Sequence, residues 1–395
     1  MHKRDNDNTI LQNKSVIIAT HYSSTAFIQH LEEFLRIIKI KKLLYIGHPL
    51  HPERENELSF YRFSKKGKAV EMKKFSFLKN KGLLTYLKDG ILNIVFVLSK
   101  RKRWDLYIGA DNLNTISGVI LKKLGFVDKV IFYTVDFVPQ RFENKLLNNF
   151  YHWVEKLAVI FSDEVWILSP RVIEGRRNLL ELNNKYDKKQ KLVPEGVWID
   201  RIKRLPFFNV NKHSAIFVGH IVKRMGVQIV IRAMPIILER IPDFILIIIG
   251  KGDYKNSLEK LAKNLGVSDN VKFMGYVEDH KEVENIIASC GVGIATYTNE
   301  DESGLTFYAD PAKTKLYLGA GIPVVMTDTF YNAYDIQDAG GGIVIKESSK
   351  EAASAIISII GNDKRLKEYR RSSLRYAKQF DYPSLLAKHL KRVFV

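Results

Sequence analysis

Segment 300–328, E-D-E-S-G-L-T-F-Y-A-D-P-A-K-T-K-L-Y-L-G-A-G-I-P-V-V-M-T-D, carries the densest chemical signal in the chain. Asp310 before Pro311 predicts a helix start, with Asp310 as N-cap and proline in the first helical position. Gly321 and Pro323 predict its end before an apolar strand at 324–326. Lys313 then falls in the first turn, where a cation opposes the helix dipole at roughly 0.3–1 kcal/mol unless an anion meets it. Free N–H groups at a helix start and an adjacent ammonium suit phosphate, so a nucleotide diphosphate is the expected occupant, with a solvated surface lysine as the alternative. Two further candidates stand where apolar runs end: His21, followed by Ser23 and Ser24, after 15–20, and Asp136, with Arg141 close behind, after 129–135. In open parallel sheets ligands sit outside the carboxyl ends of strands, so these positions suit acceptor binding and proton transfer. A hydrogen-bonded loop residue is the plainer reading of His21.

These residues need strands and helices to hold them. From residue 14 the pattern alternates buried strand with helix in the α/β manner: strands at 15–20, 43–47, 105–109, 129–135 and 164–169, helices near 83–98, 114–124 and 143–160. Segment 53–82 is polar and basic and predicts a loop excursion or an extra hairpin. The aperiodic stretch 200–212 predicts a linker and hinge. Beyond it come strands at 215–219, 244–249 and 271–275, helices to 378, and a closing helix from Pro383. The expected domains are 1–199, the linker 200–212, 213–380, and a helix 381–395 that returns to the first domain.

Composition bounds the function. At 395 residues and 46% apolar content the chain can build two cores. Its start, M-H-K-R-D-N-D-N, is too polar for a signal peptide and no apolar run reaches the roughly 18 residues of a membrane span, so a cytoplasmic protein is expected. Cys290 reads as a core residue. Net charge is +19, and the first 200 residues hold 34 basic against 22 acidic side chains. The apolar run 91–98 followed by Ser99-Lys100-Arg101-Lys102-Arg103 suits peripheral contact with the inner face of an anionic membrane, or a buried helix ending in a solvated basic turn. No nucleic-acid-binding motif orders the charge.

Pro311-x-Lys313-x-x-Leu316-Tyr317-Leu318-x-Ala320-Gly321-x-Pro323-Val324-Val325 resembles a block of glycosyltransferases with the two-domain GT-B fold, particularly family 4 (group 1). Gly219-His220-Ile221-Val222-Lys223-Arg224-Met225-Gly226 is similar to that family's donor loop, and Val271-Lys272-Phe273-Met274-Gly275-Tyr276-Val277 to its base-binding strand end. The resemblance implies two Rossmann-like doubly wound parallel-sheet domains facing a cleft. It implies transfer of a sugar from a nucleotide-diphosphate sugar to a glycan or lipid-linked acceptor, in cell-surface polysaccharide or glycoconjugate synthesis; no metal or cofactor is expected, because no His/Asp/Glu cluster has ligand spacing and the helix dipole with Lys313 can stabilise the leaving diphosphate. Donor contacts are expected at Gly219, His220, Lys223, Arg224, Gly250, Tyr276, Val277, Gly304, Asp310, Lys313 and Thr314, and acceptor contacts at Ser23, Ser24 and Arg141. Asp136 is the expected general base with His21 in reserve, which would give inversion, whereas the family implies retention. The chain departs from the pattern: His220 replaces an arginine, Met225 a lysine and Leu316 a glutamate, and no Glu-x7-Glu pair can be drawn. A degenerate subunit that supports a partner transferase, or an epimerase of the same fold, are the alternatives.

Overall fold

The computed structural model describes residues 8–22, 27–49, 58–75, 83–202, 204–298 and 304–395. The chain divides into two compact units, one of residues 1–194 with 383–395 and one of residues 195–382.

The first unit runs α1 (Thr9–Gln12), β1 (Ser15–Tyr22), α2 (Phe27–Ile37), β2 (Lys42–Pro49), β3 (Ser59–Lys65), β4 (Lys68–Phe75), α3 (Leu83–Ser99), β5 (Trp104–Ala110), α4 (Asn112–Lys123), β6 (Val127–Thr134), α5 (Lys145–Phe161), β7 (Glu164–Ile167), α6 (Arg171–Leu180) and β8 (Gln190–Leu192). The sheet order is β4-β3-β2-β1-β5-β6-β7-β8. From β2 to β8 the pairing is parallel. The central strands are unbroken apolar runs because helices cover both faces. The basic stretch after β2 forms an antiparallel hairpin, β3 with β4, at the sheet edge. The turn after α3 is less solvated than its composition suggests: Lys100 pairs with Glu71 at 2.6 Å and lies 4.1 Å from the Tyr61 ring centre.

The second unit runs β9 (Asn211–Val218), α7 (Val227–Arg240), β10 (Ile245–Ile249), α8 (Lys255–Asn264), β11 (Val271–Gly275), α9 (His280–Ser289), β12 (Cys290–Ala295), α10 (Leu305–Tyr308), α11 (Ala312–Gly319), β13 (Val324–Thr327), α12 (Ala333–Asp338), β14 (Gly342–Ile345), α13 (Ser349–Ile360) and α14 (Asp363–Ala377). Its strands pair in parallel in the order β11-β10-β9-β12-β13-β14, the doubly wound arrangement, with reversal between β9 and β12. Cys290 is buried at the start of β12, its thiol pushed up to about 11 by burial.

The last helix, α15 (Tyr382–Phe394), packs on the first unit from Pro383 onward. Leu386 and Leu390 are fully buried, Lys129 donates to the Val393 carbonyl and Arg392 to Glu164, both at 2.5 Å. Among the described residues no helix is long and apolar enough to cross a membrane.

Candidate active site

In the first unit the strand order reverses between β1 and β5, and the residues that follow these strands meet there. His21, at the carboxyl end of β1, donates from Nδ1 to Asp111 Oδ2 at 2.6 Å. Its Nε2 lies 3.4 Å from Asp89 Oδ2, a carboxylate from the middle of α3. Asp89 is buried and also lies 3.3 Å from both His48 Nδ1 and Lys88 Nζ. Burial opposes a charge on His21, but Asp111 and Asp89 outweigh it and raise the imidazole to about 9. His21 is therefore an imidazolium at neutral pH with a carboxylate at each nitrogen, ill suited to the reserve role of base and suited to holding the floor of the site together. Asp111 takes φ +134° and ψ 172°, a region almost confined to glycine. Its side chain accepts from Asn114 N at 2.8 Å and Asn114 Nδ2 at 2.7 Å, contacts that hold the strained residue against His21.

Asp136 follows β6 and is an exposed residue. The protein packed around it raises its pKa, which Arg141 opposes. A carboxylate more basic than usual is suited to taking a proton from a hydroxyl. His21, Asp111, Asp136 and Arg141 line one cavity of about 1070 Å³ within this unit. Ser23 and Ser24 lie outside the described residues.

In the second unit the loop after β9 carries Gly219 at φ +145° and Gly226 at φ +70°. A Cβ on Gly226 would meet the Thr296 carbonyl oxygen at 1.2 Å, so only glycine fits there. A Cβ on Gly219 would lie 3.2 Å from Lys313 Nζ, which places that ammonium against the loop backbone. Lys313 stands in the first turn of α11, its Nζ 4.1 Å from the Phe217 ring centre, 5.1 Å from that of Tyr297 and 3.7 Å from Met225 Sδ. Among the described residues no carboxylate pairs with it, and burial alone lowers its pKa to about 7. Arg224 is half-buried and His220 and Lys223 are exposed on the same loop. Gly250 ends β10 with φ +142°, exposed Tyr276 and half-buried Val277 follow β11, and Gly304 takes φ +68° before α10.

Two expected donor residues are otherwise engaged. Asp310 is not the N-cap of α11; Pro311 holds that position. The Asp310 side chain is buried in an ion pair with Lys315 and accepts from Glu195 N at 2.8 Å and Asn332 Nδ2 at 3.3 Å. Thr314 is fully buried and donates from Oγ1 to the Pro311 carbonyl at 2.7 Å. Both side chains are buried in these contacts. Both belong to the scaffold that starts the helix and so aims Lys313.

The sequence reading passed over Asp111 and Asp89. Asp111 obeys the strand-end rule that found His21, one residue past β5. Asp89 is a carboxylate inside an otherwise apolar helix, a mismatch that called for a partner.

The two parallel-sheet units have the GT-B fold. Residues 199–379 match the model of the family described as glycosyl transferases group 1. An uncharacterised glycosyltransferase of Methanocaldococcus jannaschii is 26% identical over 296 residues, covering 71% of this chain and 72% of the relative. A phosphatidyl-myo-inositol mannosyltransferase of Mycobacterium leprae is 23% identical over 208 residues, 51% and 52% of the two chains. In fold the chain is similar to the Anabaena protein HepE crystallised with UDP, with a TM-score of 0.71, 15% identity and coverage of 96% and 99%. The sucrose-phosphate synthase of Thermosynechococcus elongatus gives 0.71, 13%, 97% and 98%. The chain is a glycosyltransferase.

Proposed function

We propose that this glycosyltransferase moves a sugar from a nucleotide-diphosphate sugar, bound at Gly219, Lys313, Lys223 and Arg224, to a hydroxyl of a glycan or lipid-linked acceptor bound in the first unit. The observation that carries the reading is Lys313, an ammonium over two aromatic rings in the first turn of α11 with no carboxylate beside it among the described residues. A diphosphate supplies the missing charge, and α11's first-turn N–H groups add to it. Chemistry then needs no metal: the anomeric carbon–oxygen bond breaks with its electron pair leaving on the diphosphate, which Lys313 neutralises. The acceptor oxygen forms the new bond and its proton passes to Asp136. A single displacement of this kind inverts the anomeric centre, so the anomer of the product, read by NMR, tests Asp136 as base.

The Anabaena structures hold UDP, UDP with glucose, and UDP-glucose, which makes UDP the first nucleotide to try. Calorimetric titration with UDP and other nucleoside diphosphates should show binding that Lys313→Ala weakens. Binding without turnover on any acceptor favours the second reading, a degenerate subunit, for which Met225 beside Lys313 and Leu316 on α11 are the motivating departures. A cytoplasmic location with peripheral attachment to an anionic membrane, in glycoconjugate or polysaccharide synthesis, completes the proposal and rests on the basic first half of the chain.

A further inference from the structure

The cavity that holds His21, Asp111, Asp136 and Arg141 is lined for the most part by apolar side chains. Three helices supply most of the hydrocarbon: Leu87, Ile91 and Ile94 of α3, Ile116 and Ile120 of α4, and Leu146, Phe150 and Trp153 of α5, with Ser117 of α4 and Glu155 of α5 among them. Several of these are open to solvent, Leu87 at 64%, Phe150 at 53%, Trp153 at 55% and Leu146 at 81%. On α3 the exposed apolar residues, Leu87, Ile91 and Val95, recur every four positions and form a stripe. Helices of a water-facing domain normally turn such stripes inward, because exposed apolar area forgoes roughly 25 cal/mol per Å². At about 1070 Å³ the cavity also exceeds the usual 300–1,000 Å³ of a small-ligand site, far more room than one sugar ring needs.

Charge at the polar end is arranged for an amphiphile. Arg141 is exposed there, and no carboxylate forms an ion pair with it among the described residues, which leaves a guanidinium facing the cavity where hydrocarbon gives way to the acid–base groups. Basic side chains, Arg101 and Lys102 after α3, are exposed beyond that helix's apolar stripe.

We propose that the α3–α4–α5 trough holds the hydrocarbon chain of a lipid acceptor whose anionic head meets Arg141 and whose hydroxyl meets Asp136. This deepens the transfer reading and rests on it. The chain would enter by lying along exposed Leu87 and Phe150, so the acceptor stays part of a membrane while its head reaches the reacting groups.

The test uses Trp153 as reporter in the full chain. Vesicles of phosphatidylglycerol with brominated acyl chains are titrated into the protein, with Trp153→Phe as the blank for the other tryptophans. The proposal expects quenching that disappears in the blank. It also expects quenching by monomers of a short-chain brominated phosphatidylglycerol, for which no bilayer is present. Leu87→Asn and Phe150→Asn replace exposed residues and so spare folding. Each should raise the lipid concentration for half quenching by ~10-fold, the equivalent of one lost side-chain burial. UDP binding, followed by calorimetry on the same samples, should be unchanged in both. Absence of quenching with UDP binding intact overturns the lipid assignment and leaves the transferase standing. Quenching only by vesicles, abolished by salt and indifferent to the two variants, shows surface adsorption and overturns it as well. Quenching with no binding of any nucleoside diphosphate refutes the transfer reading, and the lipid's role as acceptor with it.

Discussion

Lys313 and Asp136 should fail in different ways when replaced. On the proposed reading Lys313 acts on the diphosphate before and during transfer, so Lys313→Ala should weaken UDP binding and turnover together. Asp136→Asn should leave UDP affinity nearly unchanged and slow the chemical step by roughly 10²–10⁴-fold, as measured by single-turnover kinetics with saturating acceptor. Near wild-type turnover in Asp136→Asn would remove it as base. The same lysine leaves a signature on stability. Its folded pKa of about 7 lies below the 10.5 of the unfolded chain. Between those values the unfolded state binds more protons, so this group makes the empty protein less stable as pH falls from 10.5 to 7, and no further below. Lys313→Met should therefore gain stability over wild type as pH falls through that window, a difference visible in urea titrations and erased by saturating nucleotide. His21 has the opposite sign. Its folded value of about 9 exceeds 6.5, so its contribution is complete below pH 6.5 and is lost as pH rises through 9. Lys315, two residues from Lys313, is structural. Its side chain and that of Asp310 are wholly buried, and Asp310→Ala, which strands the ammonium, should cost roughly 3–5 kcal/mol in the same titrations.

At the scale of elements, α15 is the clearest case of one helix completing a unit it does not adjoin in sequence. Leu386 and Leu390 are fully buried, and Leu386→Ala should lower unfolding free energy by about 2–5 kcal/mol, measured by denaturation of the full chain. The strands were legible because each is an apolar run ending in glycine or a polar turn, and the helix after Pro311 because proline and Gly321 bracket it. What was hidden depends on contacts across the fold. Asp310 looked like a cap from its neighbour Pro311, but Lys315 claimed it, an ion pair five residues long that no local rule ranks above capping. Asp89 and Asp111 were hidden because neither is chemical alone; they become so where α3 and β5 bring them to His21. The apolar run 91–98 was legible as a helix, yet which face it buries was not. Leu92, Phe96 and Val97 go inward, while Leu87, Ile91 and Val95 stay out, and only the packing of α3 on α4 decides between them.

For the whole molecule the charge asymmetry gives the proposed membrane attachment a test. The first 200 residues carry 34 basic and 22 acidic side chains, so flotation with anionic vesicles should exceed that with neutral ones and weaken between 0.1 and 1 M salt, as the screening length falls from about 10 to 3 Å. Residual flotation at high salt would measure the apolar share from α3 and α5. The division of the chain has a consequence for its synthesis. Residues 195–382 form one continuous unit, whereas the first unit waits for 383–395. A ribosome reading from the N-terminus thus releases every strand of the second unit before the first has its closing helix, and the domain begun earlier is the one finished last. Until then Trp166 and Glu164, the partners of His389 and Arg392 of α15, stay uncovered on the nascent chain.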